Sequence, residues 1–128
     1  MSKLVKKVKN GIYVIDIPHL EREVYVCKER KAAFKYGNGE FCDPNSTTEA
    51  TTVYNTRDRC AVAIWFASES PSASTVAHEC LHALNAIHAY AGIIADRYND
   101  EADAYMLSYL VENVYKALRK IAKEDECK

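Results

Sequence analysis

The sequence predicts an α+β fold, in which a β-sheet is followed by two long helices. Two observations carry this prediction. The first half of the chain alternates apolar and polar residues as strands do, and the second half repeats its apolar residues every three to four positions, as helices do. The chain has 128 residues, which is the length of one domain spanning 1–128 and is enough to bury a core.

Strands are predicted where β-branched and aromatic residues cluster in the first half of the chain. Ile12–Ile17 ends at Pro18, and Glu23–Cys27 follows it as a second strand. Lys31–Tyr36 is predicted as a third strand, closed by turn residues at 37–39.

The stretch that follows is polar and then strongly apolar. Residues 40–59 are expected to form a long loop that contains a short strand at Thr51–Tyr54. Cys60–Phe66 is a continuous apolar run, which is typical of a strand buried on both faces.

Two helices are predicted in the second half. Ser72 is a capping residue, and a helix is expected from Ala73 to Tyr90, with Gly92 as its C-terminal cap. After a polar connection around residues 96–100, a second helix with apolar residues at helical spacing is expected to run to about Lys123.

Composition and charge argue against several classes of protein. A net charge of -1 gives no electrostatic case for a nucleic-acid partner. No stretch approaches the ~20 apolar residues that a membrane-spanning helix needs, and the lysines near the start precede no signal-peptide core. The cysteines are odd in number and irregularly spaced, so we expect a reducing, cytoplasmic environment and no disulfide framework.

The motif HECLH, residues 78–82, lies in the first predicted helix. Residues four apart lie on one face of a helix, so His78 and His82 can both bind one Zn²⁺ ion. Glu79 is rotated by about 100°, so it flanks the metal and can take a proton from its bound water. Cys80 points away from both histidines and is expected to be a small buried side chain. The motif therefore predicts a zinc site.

A catalytic zinc site needs a third protein ligand, and the sequence offers His88 and Glu101. His88 completes HExxHxxNxxH, which resembles the metzincin signature with Asn85 in place of the usual glycine. On an unbroken helix, however, His88 points about 80° and about 120° away from the two motif histidines. Because the helical pattern continues beyond Asn85, Glu101 is favoured as the third ligand.

Asp100–Tyr105 reads DEADAY, which resembles the DEAxAY-type run that follows HExxH in small gluzincin-like proteins of phages and prophages. The resemblance covers mainly residues 76–115. It implies a small zincin-like domain, in which a glutamate-bearing helix follows the active-site helix. The metal ligands that it implies are His78, His82 and Glu101.

The resemblance also implies roles for other side chains. Glu79 would be the general base, and Tyr105, one turn after Glu101, would stabilise an oxyanion or brace a ligand. Asp103 is a candidate acceptor for the free N–H of a ligand histidine. Ile64 and Trp65, just before the motif, are candidates for lining a substrate groove.

The expected function is therefore that of a gluzincin-type zinc metallopeptidase acting on a peptide or protein substrate. Its expected location is the cytoplasm, the host cytoplasm if a phage encodes it. One alternative is a catalytically silent zinc-binding phage or prophage protein that acts by binding a host or virion partner. Another is a zinc hydrolase of a non-peptide amide. The oligomeric state is not predicted.

Overall fold

A computed structural model describes residues 4–20, 22–37, 49–55, 61–94, 96–98 and 100–126. The fold is α+β, with five strands in one mixed sheet and three α-helices within these residues. In chain order the elements are β1 (Val5–Lys9), β2 (Ile12–Ile17), β3 (Arg22–Cys27), α1 (Arg30–Gly37), β4 (Ala50–Asn55), β5 (Ala61–Phe66), α2 (Ala73–Ala91) and α3 (Glu101–Glu126). A short 3₁₀ turn, Pro18–Leu20, lies between β2 and β3.

The strands lie side by side in the order β1-β2-β3-β5-β4. The β3–β5 pair is parallel, and the other three pairs are antiparallel. β1 and β2 form a hairpin through Asn10 and Gly11, and the φ of +81° at Gly11 suits a left-handed turn residue. Because β4 stands last in the strand order, it forms one edge of the described sheet.

The helices cover both faces of the sheet. α2 and α3 pack on one face over the main core, and α1 packs on the other over a smaller cluster. β5 serves both cores, since Val62 and Ile64 face α2 and α3 while Ala63 and Trp65 face α1. This two-sided burial explains the continuous apolar run predicted as a buried strand.

The prediction of a strand at Lys31–Tyr36 is wrong, because these residues lie in α1. Ala33 and Gly37, one helical turn apart, are buried against the sheet. A Cβ built on Gly37 would collide with the Val53 carbonyl oxygen, so glycine lets the end of α1 lie directly on β4. A segment this short offers too few periods to separate a strand pattern from a helix pattern.

The other predicted strands are confirmed, with small shifts of their ends. β2 has the predicted bounds, and β4 extends the predicted Thr51–Tyr54 by one residue at each end. Most of the predicted loop at 40–59 lies outside the described residues. β1 was not predicted, because exposed lysines dominate its sequence, and a strand at the edge of a sheet tolerates them.

Both long helices are confirmed. Ser72 caps α2 by accepting a hydrogen bond of 3.1 Å from the Thr75 amide. α2 ends at Ala91, and the next residue, Gly92, is its C-terminal cap. Gly92 has a φ of +72°, and its amide donates back to the last turn. α3 runs past the predicted end to Glu126. Among the described residues, neither α2, α3 nor any shorter helix has an apolar stretch sufficient to cross a membrane.

The C-terminal end of α3 is fastened to the β1–β2 hairpin by Glu124. Its Oε1 accepts a hydrogen bond from the Gly11 amide at 3.2 Å, and its Oε2 lies 3.1 Å from Lys7 Nζ. Burial alone raises the pKa of the Glu124 carboxyl. Hydrogen bonds from Lys7, Gly11 and Tyr13 outweigh burial and hold the pKa below its ordinary 4.5.

We expect Glu124→Gln to lower the free energy of unfolding at neutral pH by about 1 kcal/mol, since it removes a charge-assisted contact. A carboxyl with a lowered pKa stabilises the fold above its ordinary pKa, and this contribution is lost as pH falls through the lower folded-state value. The variant should therefore lose less stability than the wild type between pH 5 and acid, measured by urea unfolding.

The matched control is Glu112→Gln, because exposed Glu112 makes only a 3.9 Å contact to Lys116 within α3. It should leave the acid dependence of stability unchanged. Equal effects of the two substitutions would contradict a specific role for Glu124.

Candidate metal centre

His78 and His82 lie one turn apart on the exposed face of α2. Their Nε2 atoms are 3.1 Å apart, and the two rings stand edge to face at a centroid distance of 4.7 Å. The helix thus brings together the two ring nitrogens that the motif predicts as metal ligands.

The spacing of these nitrogens matches that of two ligands on one ion. Two nitrogens bound to a tetrahedral zinc ion at about 2.0–2.1 Å are separated by about 3.3 Å. The observed 3.1 Å is close to this value, and the side chain of His78 is 67% exposed. The pair therefore fits two positions of a zinc site that is open to solvent.

Glu79 lies beside the pair, but its carboxylate is buried, with only 6% of the residue exposed. Its Oε2 is 3.8 Å from His78 Nε2. Its Oε1 accepts a 2.7 Å hydrogen bond from the hydroxyl of Thr52. One carboxylate oxygen is thus anchored in the protein, while the other points toward the histidines.

Thr52 reaches Glu79 because of its position on β4. The Thr52 hydroxyl lies 3.2 Å from the Glu79 carbonyl oxygen as well, so its single hydrogen is shared between this oxygen and the nearer carboxylate oxygen. Val53, the next residue, belongs to the core under α1, so the alternation of the strand turns Thr52 toward α2. Thr52 is not among the predicted site residues, although a polar residue in the core-facing row of a predicted strand is a signal that could have identified it.

Cys80 is fully buried on the other side of α2, as predicted. Burial, followed by the nearby charge of Glu79, raises the pKa of the Cys80 thiol to about 12. The side chain therefore stays a neutral thiol and packs in the main core.

His88 does not join the motif histidines. α2 continues without a break to Ala91, and His88 is buried with its Nε2 3.2 Å from Asp103 Oδ1 at the start of α3. The metzincin-like arrangement is therefore absent from this part of the chain. Asp103, expected to support a ligand histidine, instead joins α3 to α2 through His88.

Glu101 and Tyr105 lie in the first turns of α3, and both side chains are exposed. Tyr105 is 73% exposed. Within the described ranges, no group of three or more His, Cys, Asp or Glu side chains converges as a metal ion requires. The structure therefore brings Glu79 to the histidine pair but does not bring Glu101 into a metal-binding group with them, and zinc remains a prediction.

Ile64 and Trp65 do not line a groove beside the motif. Ile64 is completely buried in the main core. Trp65 lies on the opposite face of the sheet, where the guanidinium of Arg30 sits 5.6 Å from its ring centroid. The prediction for these two residues is wrong because alternation along β5 points one inward and the other toward α1.

Comparisons with known proteins give no further identification. No family model, no curated protein and no solved structure matches the chain. Function must therefore be argued from the residues and their geometry.

We expect Thr52→Val to lower the free energy of unfolding by about 1–3 kcal/mol, because it removes a hydrogen-bond donor from a buried carboxylate. Urea unfolding measures the change. The control is Thr51→Val, since Thr51 is the neighbouring half-buried residue whose side chain points to the other face of β4.

In a double-mutant cycle, Thr52→Val should lose most of its effect when Glu79 is already Ala. A full effect in that background would show that Thr52 acts independently of the carboxylate.

Proposed function

We propose that the chain is a gluzincin-type zinc metallopeptidase that hydrolyses peptide bonds. The observation that carries the proposal is the pair of histidine nitrogens 3.1 Å apart, with an anchored carboxylate beside them. A histidine pair, a general base and solvent access are the parts that zinc-dependent hydrolysis requires.

The geometry supports the following proposed roles for the three side chains. His78 and His82 would hold the metal through their neutral Nε2 atoms. When bound, zinc supplies a Lewis acid that lowers the pKa of water and polarises the scissile carbonyl. Glu79 Oε2, the oxygen not held by Thr52, takes the proton from the attacking water and passes it to the leaving amine.

The third ligand is assigned to Glu101. The alternative, His88, is buried and paired with Asp103. The carboxylate of Glu101 is exposed, and no ion pair within the described part of the chain engages it. Together with the likeness of the DEADAY run to small phage and prophage gluzincins, this favours Glu101. Tyr105 is kept as the candidate oxyanion group on the same helix.

The proposed substrate is a peptide in extended conformation. β4 is an edge strand of the described sheet, and its residue Thr52 touches the proposed base. A substrate that lies beside β4 would therefore be next to Glu79, and an extended peptide is the form of substrate that a strand accommodates. We further propose a cytoplasmic location, the host cytoplasm if a phage encodes the chain, because Cys27 and Cys80 are free thiols.

A second candidate is a zinc-binding protein without turnover, which acts by binding a host or virion partner. It is favoured by the lack of a third ligand converging on the histidine pair within the described residues, because a catalytic zinc site needs three protein ligands. Activity of the zinc-loaded protein separates the two candidates.

We expect Glu79→Gln to keep bound zinc but to lower peptide hydrolysis by about 100-fold or more, because a general base typically contributes that much. Zinc content is measured by elemental analysis and hydrolysis with a library of unstructured peptides. Glu112→Gln serves as the control for loss of an exposed carboxylate. An active Glu79→Gln protein would contradict the assigned base. An inactive wild type with full zinc occupancy would favour the non-catalytic candidate.

Substitution of the third ligand should weaken zinc binding by orders of magnitude, because two histidines alone do not complete a site. We expect Glu101→Ala to lose zinc in competition with a chelator. His88→Ala should keep zinc and instead lower the free energy of unfolding, since it leaves Asp103 without its partner. Loss of zinc in His88→Ala but not in Glu101→Ala would overturn the assignment.

A further inference from the structure

A second concave site lies where the β1–β2 hairpin, α1 and the end of α3 meet. Its volume is about 470 Å³, which is within the range of ligand pockets in proteins. Its described lining includes no residue of α2, so it is separate from the candidate metal centre.

The described lining of this cavity includes three lysines besides Lys28. Lys9 comes from the hairpin, and Lys31 and Lys35 project from successive turns of α1. No carboxylate of the described residues lies within ion-pair distance of any of the three. The ammonium of Lys35 lies 5.9 Å from the ring centroid of Tyr36, which also lines the cavity.

The acidic residues of the lining do not cancel this charge. Glu124 is paired with Lys7, and Asp125 is paired with Lys28. Glu29 is the remaining carboxylate among the described lining residues. Among the described residues, three lining ammonium groups without a carboxylate partner against the one carboxylate of Glu29 leave an excess of positive charge, which attracts an anion.

The inner wall of the cavity is apolar. Ala32 and Tyr36, both partly exposed, supply most of it, while Ile12 and Ile121 are almost completely buried and contribute little accessible surface. Lysine ammonium groups beside an apolar wall suit a ligand with one charged end and one flat or aliphatic end. Inorganic anions alone would leave that wall without a contact.

We propose that this cavity is a binding site for a small aromatic acid, a carboxylate or a phosphate monoester. Its ring lies against Ala32 and Tyr36, and its anionic group lies among Lys9, Lys31 and Lys35. The proposal does not depend on the metal centre or on hydrolysis.

The test uses the full chain, labelled with ¹⁵N, and amide chemical shifts as the readout. Phenyl phosphate and benzoate are titrated separately, because they share an aromatic ring but differ in their anionic group. Inorganic phosphate and phenol are the controls that keep only the charge or only the ring. We expect saturable shifts at Gly11, Ile12, Ala32 and Ile121 with at least one aromatic acid, and binding about tenfold weaker with each control.

One pair of substitutions tests the lysines of the cavity, and a second pair is the control. Lys31→Met with Lys35→Met should weaken binding of the aromatic acid by about tenfold, since each exposed charge contact is worth a few-fold. The matched control is Lys116→Met with Lys120→Met, which removes two exposed charges of α3 outside the cavity lining. This control should keep wild-type affinity.

Several outcomes would overturn the proposal. One is the absence of saturable shifts at the cavity with both aromatic acids. Another is inorganic phosphate binding as tightly as phenyl phosphate, which would indicate only a basic surface. Equal weakening by the two pairs of lysine substitutions would show that net charge, and not the cavity, controls binding. If a variant fails to fold, the titrations of the wild-type protein decide the proposal on their own.

Discussion

The candidate metal centre depends on the hydrogen bond between Thr52 and Glu79. A buried carboxylate is costly unless hydrogen bonds replace its hydration. Thr52 supplies such a bond from the edge strand, and its hydroxyl also approaches the backbone of α2 at the same residue. The contact thus joins α2 to β4 at Glu79. The apolar residues of α2 pack in the main core, and His78 and His82 lie on the opposite, exposed face of the helix.

The rest of the sheet makes this arrangement possible. β5 lies between β3 and β4, and each of its faces is covered by helices, so it forms a rigid centre. β4 packs beside it as the edge strand, held from behind by α1 through the close approach at Gly37. A catalytic group mounted on a packed helix and strand is held more firmly than one on a loop.

The sequence predicts the features of this chain that depend on neighbours within a few residues. The caps Ser72 and Gly92, the length of α2 and the facing of His78 and His82 follow from such local patterns. The Thr52–Glu79 bond joins residues 27 positions apart, and the His88–Asp103 contact joins two helices. Periodicity carries no information on which residues of two different elements meet, so both contacts emerged only from the structure. The prediction for the segment of α1 was wrong for a different reason. Its 8 residues make only about two helical turns, which are too few to distinguish the period of a helix from that of a strand.

The long helix α3 takes part in both proposed sites, and its length keeps them apart. Glu101, the proposed ligand, begins the helix, and Glu124, beside the cavity, lies near its end. At a rise of about 1.5 Å per residue, these two residues are separated by about 35 Å along the axis. Each end is fastened by its own contacts, the first through Asp103 to α2 and the second through Glu124 to the hairpin. Among the described residues, the shorter connection between the sites therefore runs through the sheet: α1 lines the cavity and lies on β4 at Gly37, and Thr52 of β4 contacts Glu79.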